Sequence, residues 1–231
     1  MEDKEKQILT THTLIISDLH LGSSVSRVSK ISSLIKSYSF KKLILLGDVF
    51  DSLDFRNFSK ECWELLEYIG DISTKKKVRW VEGNHDQGLS QIFRVLVGAR
   101  IYKNYVWEYN HKKYLAIHGH QFDRFLVNNK FLSYLSSDIY NYIQKVDTEK
   151  KTFSHFIRNN SRGWLRLSDK VSRSAIKYAK KRNVDYIFCG HTHKPMQKTK
   201  DNVTYFNSGC WNDTPCTYIT IDEDDIKIHE Y

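Results

Sequence analysis

Five short apolar runs in this chain end in the same way, and no other feature restricts its fold as much. Leu14-Ile15-Ile16 runs into Ser17-Asp18, Leu43 to Leu46 into Gly47-Asp48, and Val78 to Val81 into Glu82-Gly83-Asn84-His85. Tyr114 to Ile117 runs into His118-Gly119, and Val184 to Phe188 into Cys189-Gly190-His191-Thr192-His193. Short apolar runs bounded by turn residues fit buried strands. Between the first three, Ile31/Leu34/Ile35 and Cys62/Leu65/Leu66/Ile69 recur at the spacing of amphipathic helices. This alternation predicts an α/β (α+β) layered architecture. In such folds ligands bind at the carboxyl ends of strands, where this chain places Asp, Asn and His.

The remaining chain is less regular. From Phe122 to about Arg182 the pattern is helical, with Leu132, Leu135, Ile139, Ile143 and Val146 interleaved with Phe131, Tyr134, Tyr140 and Tyr142. That helix is apolar over a wide arc. A second helical stretch, roughly Leu167 to Arg182, is strongly basic. After Lys194 short strands return at Val203–Phe206, Thr217–Ile221 and Ile226–His229. The formal charge of +9 is not evenly spread. Residues 123–182 carry 14 Lys/Arg against 5 Asp/Glu, and the rest of the chain carries 22 of each sign. A basic segment of this kind suits phosphates, nucleic acid or an anionic membrane surface.

Composition excludes several classes. With 231 residues, 40% of them hydrophobic and 27% charged, the chain can bury a sizeable core. No apolar run approaches a membrane span. The opening MEDKEKQ lacks the apolar centre of a secretory signal. Cys62, Cys189, Cys210 and Cys216 show no CxxC spacing and are expected to be reduced thiols in a cytoplasmic protein.

The strand-end residues form a constellation: Asp18 and His20, Asp48, Asn84 and His85, His118, then His191 and His193. A lone Asp-x-His or Gly-Asp means little. Five such pieces in order, each at an expected strand end, are specific. Carboxylate, imidazole and amide oxygen together suit Zn, Mn or Fe, whereas Ca would want oxygens alone.

In this order, DxH, GD, GNHD, H and GHxH resemble the calcineurin-like metallophosphoesterase superfamily. The resemblance implies a two-layered β-sandwich flanked by helices and a site with two divalent metal ions, Mn first, with Zn or Fe as alternatives. It implies that Asp18, His20 and His193 hold one metal, that Asn84, His118 and His191 hold the other, and that Asp48 bridges both. His85 would face the leaving group without binding metal. Histidine is the side chain best suited to donate a proton near neutral pH, which fits a general acid there. Asp51 and Asp86 are candidates to orient the ligand imidazoles, and for Asp86 an exposed turn residue is an equally good reading.

Within that superfamily the chain is most similar to the UDP-2,3-diacylglucosamine diphosphatase group, through SDLHLGS, GDVFD, GNHD, HGHQFD, GHTHKP and FNSGCW. The resemblance implies cleavage of a diacylated UDP-sugar to UMP and a lipid phosphate in lipid A synthesis, peripherally at the cytoplasmic membrane. It also implies a helical cap inserted at residues 122–182, between catalytic segments 1–121 and 183–231. Arg158, Arg162, Lys170 and Arg173 are the cap residues expected nearest the phosphates. Two positions depart from the group's pattern: His85, where a well-known branch has Arg, and His120, where many members have Asp. A nuclease or nucleotide phosphodiesterase is the alternative, and a non-enzymatic scaffold on the same fold a remote one.

Overall fold

The computed structural model describes residues 8–52, 54–88, 94, 97–123, 162–223 and 225–231. Eleven strands in these residues form two sheets. The first has the order β11-β10-β1-β2-β3-β4, from Ile226–Glu230, Thr217–Ile221, Leu9–Ile16, Tyr38–Leu46, Lys77–Val81 and Arg100–Tyr102. The second runs β5-β6-β7-β9-β8, from Tyr105–Tyr109, Lys112–Ala116, Tyr186–Cys189, Val203–Asn207 and Met196–Lys200. Strands β1 to β4 are mutually parallel, as are β6, β7 and β9, while β10, β11, β5 and β8 join antiparallel at the edges. All five expected runs lie wholly or largely within strands, and their carboxyl ends gather on one side of the sandwich.

Both faces of the central strands are covered, so their sequences read as unbroken apolar runs. Leu14, Ile16, Leu43, Leu45, Val78 and Trp80 face α1 (Val28–Ser37) and α2 (Lys60–Lys75), meeting Ile31, Leu34, Ile35, Leu65 and Ile69. The alternate residues Ile15, Ile44, Leu46 and Val81 face the second sheet, where Tyr114, Ala116, Phe188 and Phe206 meet them. The second sheet's outer face, with Leu115, Ile187, Val203 and Tyr205, is covered by α3 (Arg162–Lys181) through Ala175, Ile176 and Ala179. The order of layers is therefore helix, sheet, sheet, helix. Helix α2 begins where Ser59 Oγ accepts from the Cys62 amide at 3.4 Å.

Helix α3 falls inside the stretch expected as a cap. Its buried face instead lies on the second sheet, so this part of 122–182 forms the outer layer of the sandwich. The physical reason is visible in its sequence: Val171, Ala175, Ile176 and Ala179 make a narrow apolar stripe with small residues that lets the helix approach the sheet closely. The apolar helix expected around 131–146, and Arg158, lie outside the described residues.

Candidate metal centre

Every expected ligand sits in a loop just beyond a strand, and the loop backbones are held in costly conformations. Asp18, His20, Asp48, His191 and His193 have φ of 52°, 46°, 49°, 65° and 53°. Left-handed backbone in non-glycine residues costs about 1–2 kcal/mol each. The other described non-glycine residues with positive φ, Asn110, His111, Asn183, Asp201 and Asn202, occupy tight turns between elements. Cross-loop hydrogen bonds keep the strained residues in place. The Asp18 and His20 amides donate to the carbonyls of Gly47 and Asp48 at 3.0 Å, and Trp211 N donates to the Asp18 carbonyl at 3.1 Å. Strain stored this way marks a place where side-chain direction matters more than backbone comfort.

The side chains converge in two buried clusters. In one, donor atoms of Asp18, His20 and His193 lie within 4.8 Å of one another; in the other, those of Asp48, His118 and His191 do the same. The clusters touch. Asp18 Oδ1 is 3.1 Å from His193 Nε2 and 3.4 Å from His118 Nε2, and His118 Nδ1 is 3.6 Å from Asp48 Oδ1. The amide oxygen of Asn84 is buried with no hydrogen-bond partner. A buried acceptor left so costs about 1–3 kcal/mol, and a cation would satisfy it. Two carboxylates, four imidazoles and an orphaned amide oxygen fit a pair of divalent ions.

Electrostatics point the same way. Burial raises the Asp18 carboxyl, against the pull of His20 and His191. Burial would raise Asp48 too, but His85, His118 and His20 outweigh it and hold the carboxyl below its ordinary value. Burial pushes His118 well below its usual range, so the ring is neutral and free to ligate. For His20, burial opposes the charged form but is outweighed by the neighbouring Asp51 carboxylate and by Asp48 and Asp18.

Asp51 orients two rings at once. Its carboxylate lies 3.3 Å from His20 Nδ1, and its carbonyl oxygen lies 2.6 Å from His85 Nδ1. A carbonyl can only accept, so Nδ1 of His85 carries the hydrogen and Nε2 is left for another partner. The His85 amide also donates to Asp48 Oδ1 at 2.9 Å, which ties the ring to the second cluster. Asp86 behaves differently from the sequence expectation. Its carboxylate touches no ligand imidazole. It accepts from the amides of Val49, Phe50 and Gly83 and from Trp80 Nε1, at 3.1 to 3.3 Å, stitching the loop after β2 to the loop after β3. Burial, with Asp48 nearby, pushes it up to about 6.

Two supports went unread in the sequence. Asp123, closing HGHQFD, is buried with Oδ2 3.3 Å from His191 Nε2. Asn207, in FNSGCW, is fully buried and braces the His191 loop, donating from Nδ2 to the Gly190 carbonyl at 2.6 Å and to Thr192 Oγ1 at 3.1 Å. His120 packs edge-on to His118 and His191, with ring centroids at 5.4 and 6.4 Å, and burial pushes it down to about 4. Of the basic residues expected at phosphate, Arg162 opens α3, Lys170 is exposed, and Arg173 pairs with Asp169 of the same helix at 2.9 Å.

Glycine 190 tests the packing of this centre. A Cβ there would run into the Asp18 carboxylate and Ser17 Oγ. Gly190→Ala is expected to displace Asp18 and cut turnover by about 10²-fold, the scale of an ångström of misplacement. Metal titration of the variant should show weakened binding at an unchanged fold; wild-type affinity and rate would refute the close packing.

A sandwich of two mixed sheets with paired carboxylate–imidazole clusters at its strand ends defines a metal-dependent phosphoesterase. The calcineurin-like phosphoesterase family model matches residues 11–195, and the chain belongs to that family. Similar proteins include UDP-2,3-diacylglucosamine hydrolase of Coxiella burnetii strain RSA 331, 23% identical over 199 residues that cover 80% of this chain and 81% of that one. The protein of the same name from strain RSA 493 matches equally. Among solved structures, a novel archaeal phosphodiesterase aligns with a TM-score of 0.55 at 15% identity, over 95% of this chain and 99% of that one. A Vps29 mutant from Entamoeba histolytica aligns at 0.51 and 16%, over 95% and 91%. These structural likenesses speak for the fold.

Proposed function

We propose that this phosphoesterase hydrolyses the diphosphate of a diacylated UDP-glucosamine, releasing UMP and a lipid 1-phosphate. The observation that carries the reading is similarity along 80% of the chain to proteins named UDP-2,3-diacylglucosamine hydrolase; the buried clusters lie within residues 11–195, the span of the family model. The surplus of positive charge in residues 123–182 supports it, because a diphosphate and an anionic bilayer surface both attract such a segment. The enzyme would work at the inner face of a cytoplasmic membrane, attached peripherally, with Mn as its metal. Among the described residues no helix is long and apolar enough to cross a membrane.

In this reading Asp18, His20 and His193 would hold one ion and Asn84, His118 and His191 the other, with Asp48 serving both. When bound, the ions supply Lewis-acid polarisation of a phosphoryl oxygen and a water acidic enough to attack near neutral pH. The protein supplies the rest. Asp51 and Asp123 fix the rings of His20 and His191. His85, held at Nδ1 by the Asp51 carbonyl, presents Nε2 to deliver a proton to the departing phosphate. Lys170 and Arg173, with Arg158 and Arg162, remain the proposed contacts to substrate phosphates.

The test is a substrate panel with Mn-loaded protein: the diacylated UDP-sugar, its deacylated form, bis-p-nitrophenyl phosphate and single-stranded DNA. The acylated sugar should exceed the deacylated one in kcat/KM by well over about tenfold, given ~0.8 kcal/mol per buried methylene. Equal cleavage of the two would leave a soluble nucleotide diphosphate as the substrate. Preference for DNA would make the enzyme a nuclease.

A further inference from the structure

The end of the sandwich opposite the metal centre carries an arrangement that the phosphoesterase reaction does not use. Lys42 lies six residues before Asp48 on the same chain, about 20 Å away along an extended strand. Its side chain faces the space between the sheets, on the same face as Ile44 and Leu46, and is only 6% exposed. In register, Lys42 stands directly beside Lys77 of β3, and Arg79 of β3 stands directly beside Arg100 of β4. Like charges placed directly opposite are destabilising in a sheet, yet this sheet aligns two such pairs in neighbouring rows.

No carboxylate among the described residues pairs with any of the four. The acid of the facing edge strand, Glu108, lies on the outward side of β5 and pairs with Lys113 at 3.6 Å. Arg79 donates from Nη1 to the Val78 carbonyl at 2.9 Å, while its Nε is buried without a partner. Among the described residues, aromatic rings lie closest to the Lys42 and Arg79 cations, and His12 also lies near Lys42 and Lys77. Lys42 Nζ is 4.8 Å from the Trp107 ring centre and 5.7 Å from that of Tyr105, and the Arg79 guanidinium is 5.8 Å from the Tyr105 ring centre. Ring faces return part of what an ammonium loses on leaving water, but they do not separate like charges from each other. Burial, with Lys77 and Arg79 beside it, pushes Lys42 down to about 8.

We infer that Lys42, Lys77, Arg79 and Arg100 form a second, metal-independent site for a phosphate oxyanion, walled by Tyr102, Tyr105 and Trp107. A multivalent oxyanion would neutralise both like-charge pairs at once and accept from the orphaned Arg79 Nε. Guanidinium forks suit phosphate, and Lys supplies point charges beside them. The aromatic wall suits whatever uncharged group the phosphate carries. The phosphate could belong to a soluble metabolite or to a lipid headgroup, because both present the same oxygens.

Titration calorimetry of the metal-loaded full-length protein with methylenediphosphonate, a diphosphate mimic that resists hydrolysis, separates this site from the metal centre. Wild type should show two binding events. Lys42→Met and the exposed Arg100→Gln should each weaken one event by about tenfold, the scale of one charge-assisted hydrogen bond. The other event and turnover of bis-p-nitrophenyl phosphate should stay unchanged. A parallel arm measures sedimentation with phosphatidylglycerol vesicles. If the second soluble event is missing but the same variants lose vesicle binding, the phosphate is a headgroup. If neither ligand distinguishes wild type from the variants, the site does not exist and the cations are held by the rings alone.

Discussion

Asp48→Ala is expected to lower turnover by more than about 10³-fold and to weaken binding at both metal positions. The magnitude follows from Lewis-acid stabilisation worth several kcal/mol, at 1.36 kcal/mol per tenfold. Three observations put Asp48 at the centre of this effect. Its carboxylate is buried to 2% exposure, lies 3.6 Å from His118 Nδ1, and accepts the His85 amide at 2.9 Å. Deleting it would therefore remove a proposed metal ligand and also loosen the loop that carries Asn84 and His85. Asp48→Asn separates the two effects, since an amide oxygen keeps the hydrogen bond but not the charge. Metal content after dialysis and rate on bis-p-nitrophenyl phosphate are the readouts. Two tightly held metals and an unchanged rate in Asp48→Ala would remove Asp48 from the centre.

Why this site could be read so far from sequence becomes clear from its construction. The central strands are buried on both faces, so Ile15 beside Leu14, and Ile44 beside Leu43, produce unbroken runs whose ends are easy to locate. The ligands follow those ends immediately, and several occupy left-handed backbone that few residue types tolerate. Edge strands lack this signal. β4 and β8 are short or half-exposed, and neither stood out, although Tyr105-Val106-Trp107-Glu108-Tyr109 of β5 alternates plainly once its aromatic face is known to look inward. The supports were hidden for another reason. Asp123 reaches His191 across 68 positions of chain, and Asn207 braces Gly190 across 17, so no local pattern connects them. Asp86 shows how a single motif misleads: in GNHD it is adjacent to a histidine in sequence, yet it bonds to backbone amides and Trp80. Helix α3 reads from sequence as helical and strongly basic, but only its neighbours reveal an apolar stripe that belongs to the sheet.

His85→Ala is expected to lower turnover of the proposed diphosphate substrate by about 10²–10⁴-fold, the range for a positioned general acid. Metal content should be unchanged, because the ring makes its own contacts. Nδ1 is committed to the Asp51 carbonyl at 2.6 Å, and the ring stands edge-on to His20 with centroids 5.1 Å apart. A structural histidine in this position would produce the same loss on every substrate. A proton donor would not. Its removal should hurt least where the leaving group is already a stable anion, so p-nitrophenyl esters should lose far less than the UDP-sugar. His85→Gln adds a further check, since its amide can hold the Asp51 contact without supplying an acidic proton. If His85→Gln is as slow as His85→Ala on the UDP-sugar while both cleave the nitrophenyl ester well, the ring acts as an acid. Donor atoms of His20, Asp51 and His85 also lie within 4.8 Å of one another, so the opposite outcome has a definite meaning. A fall in bound metal in His85→Ala, with equal losses on good and poor leaving groups, would make this histidine part of the cage that holds the ion.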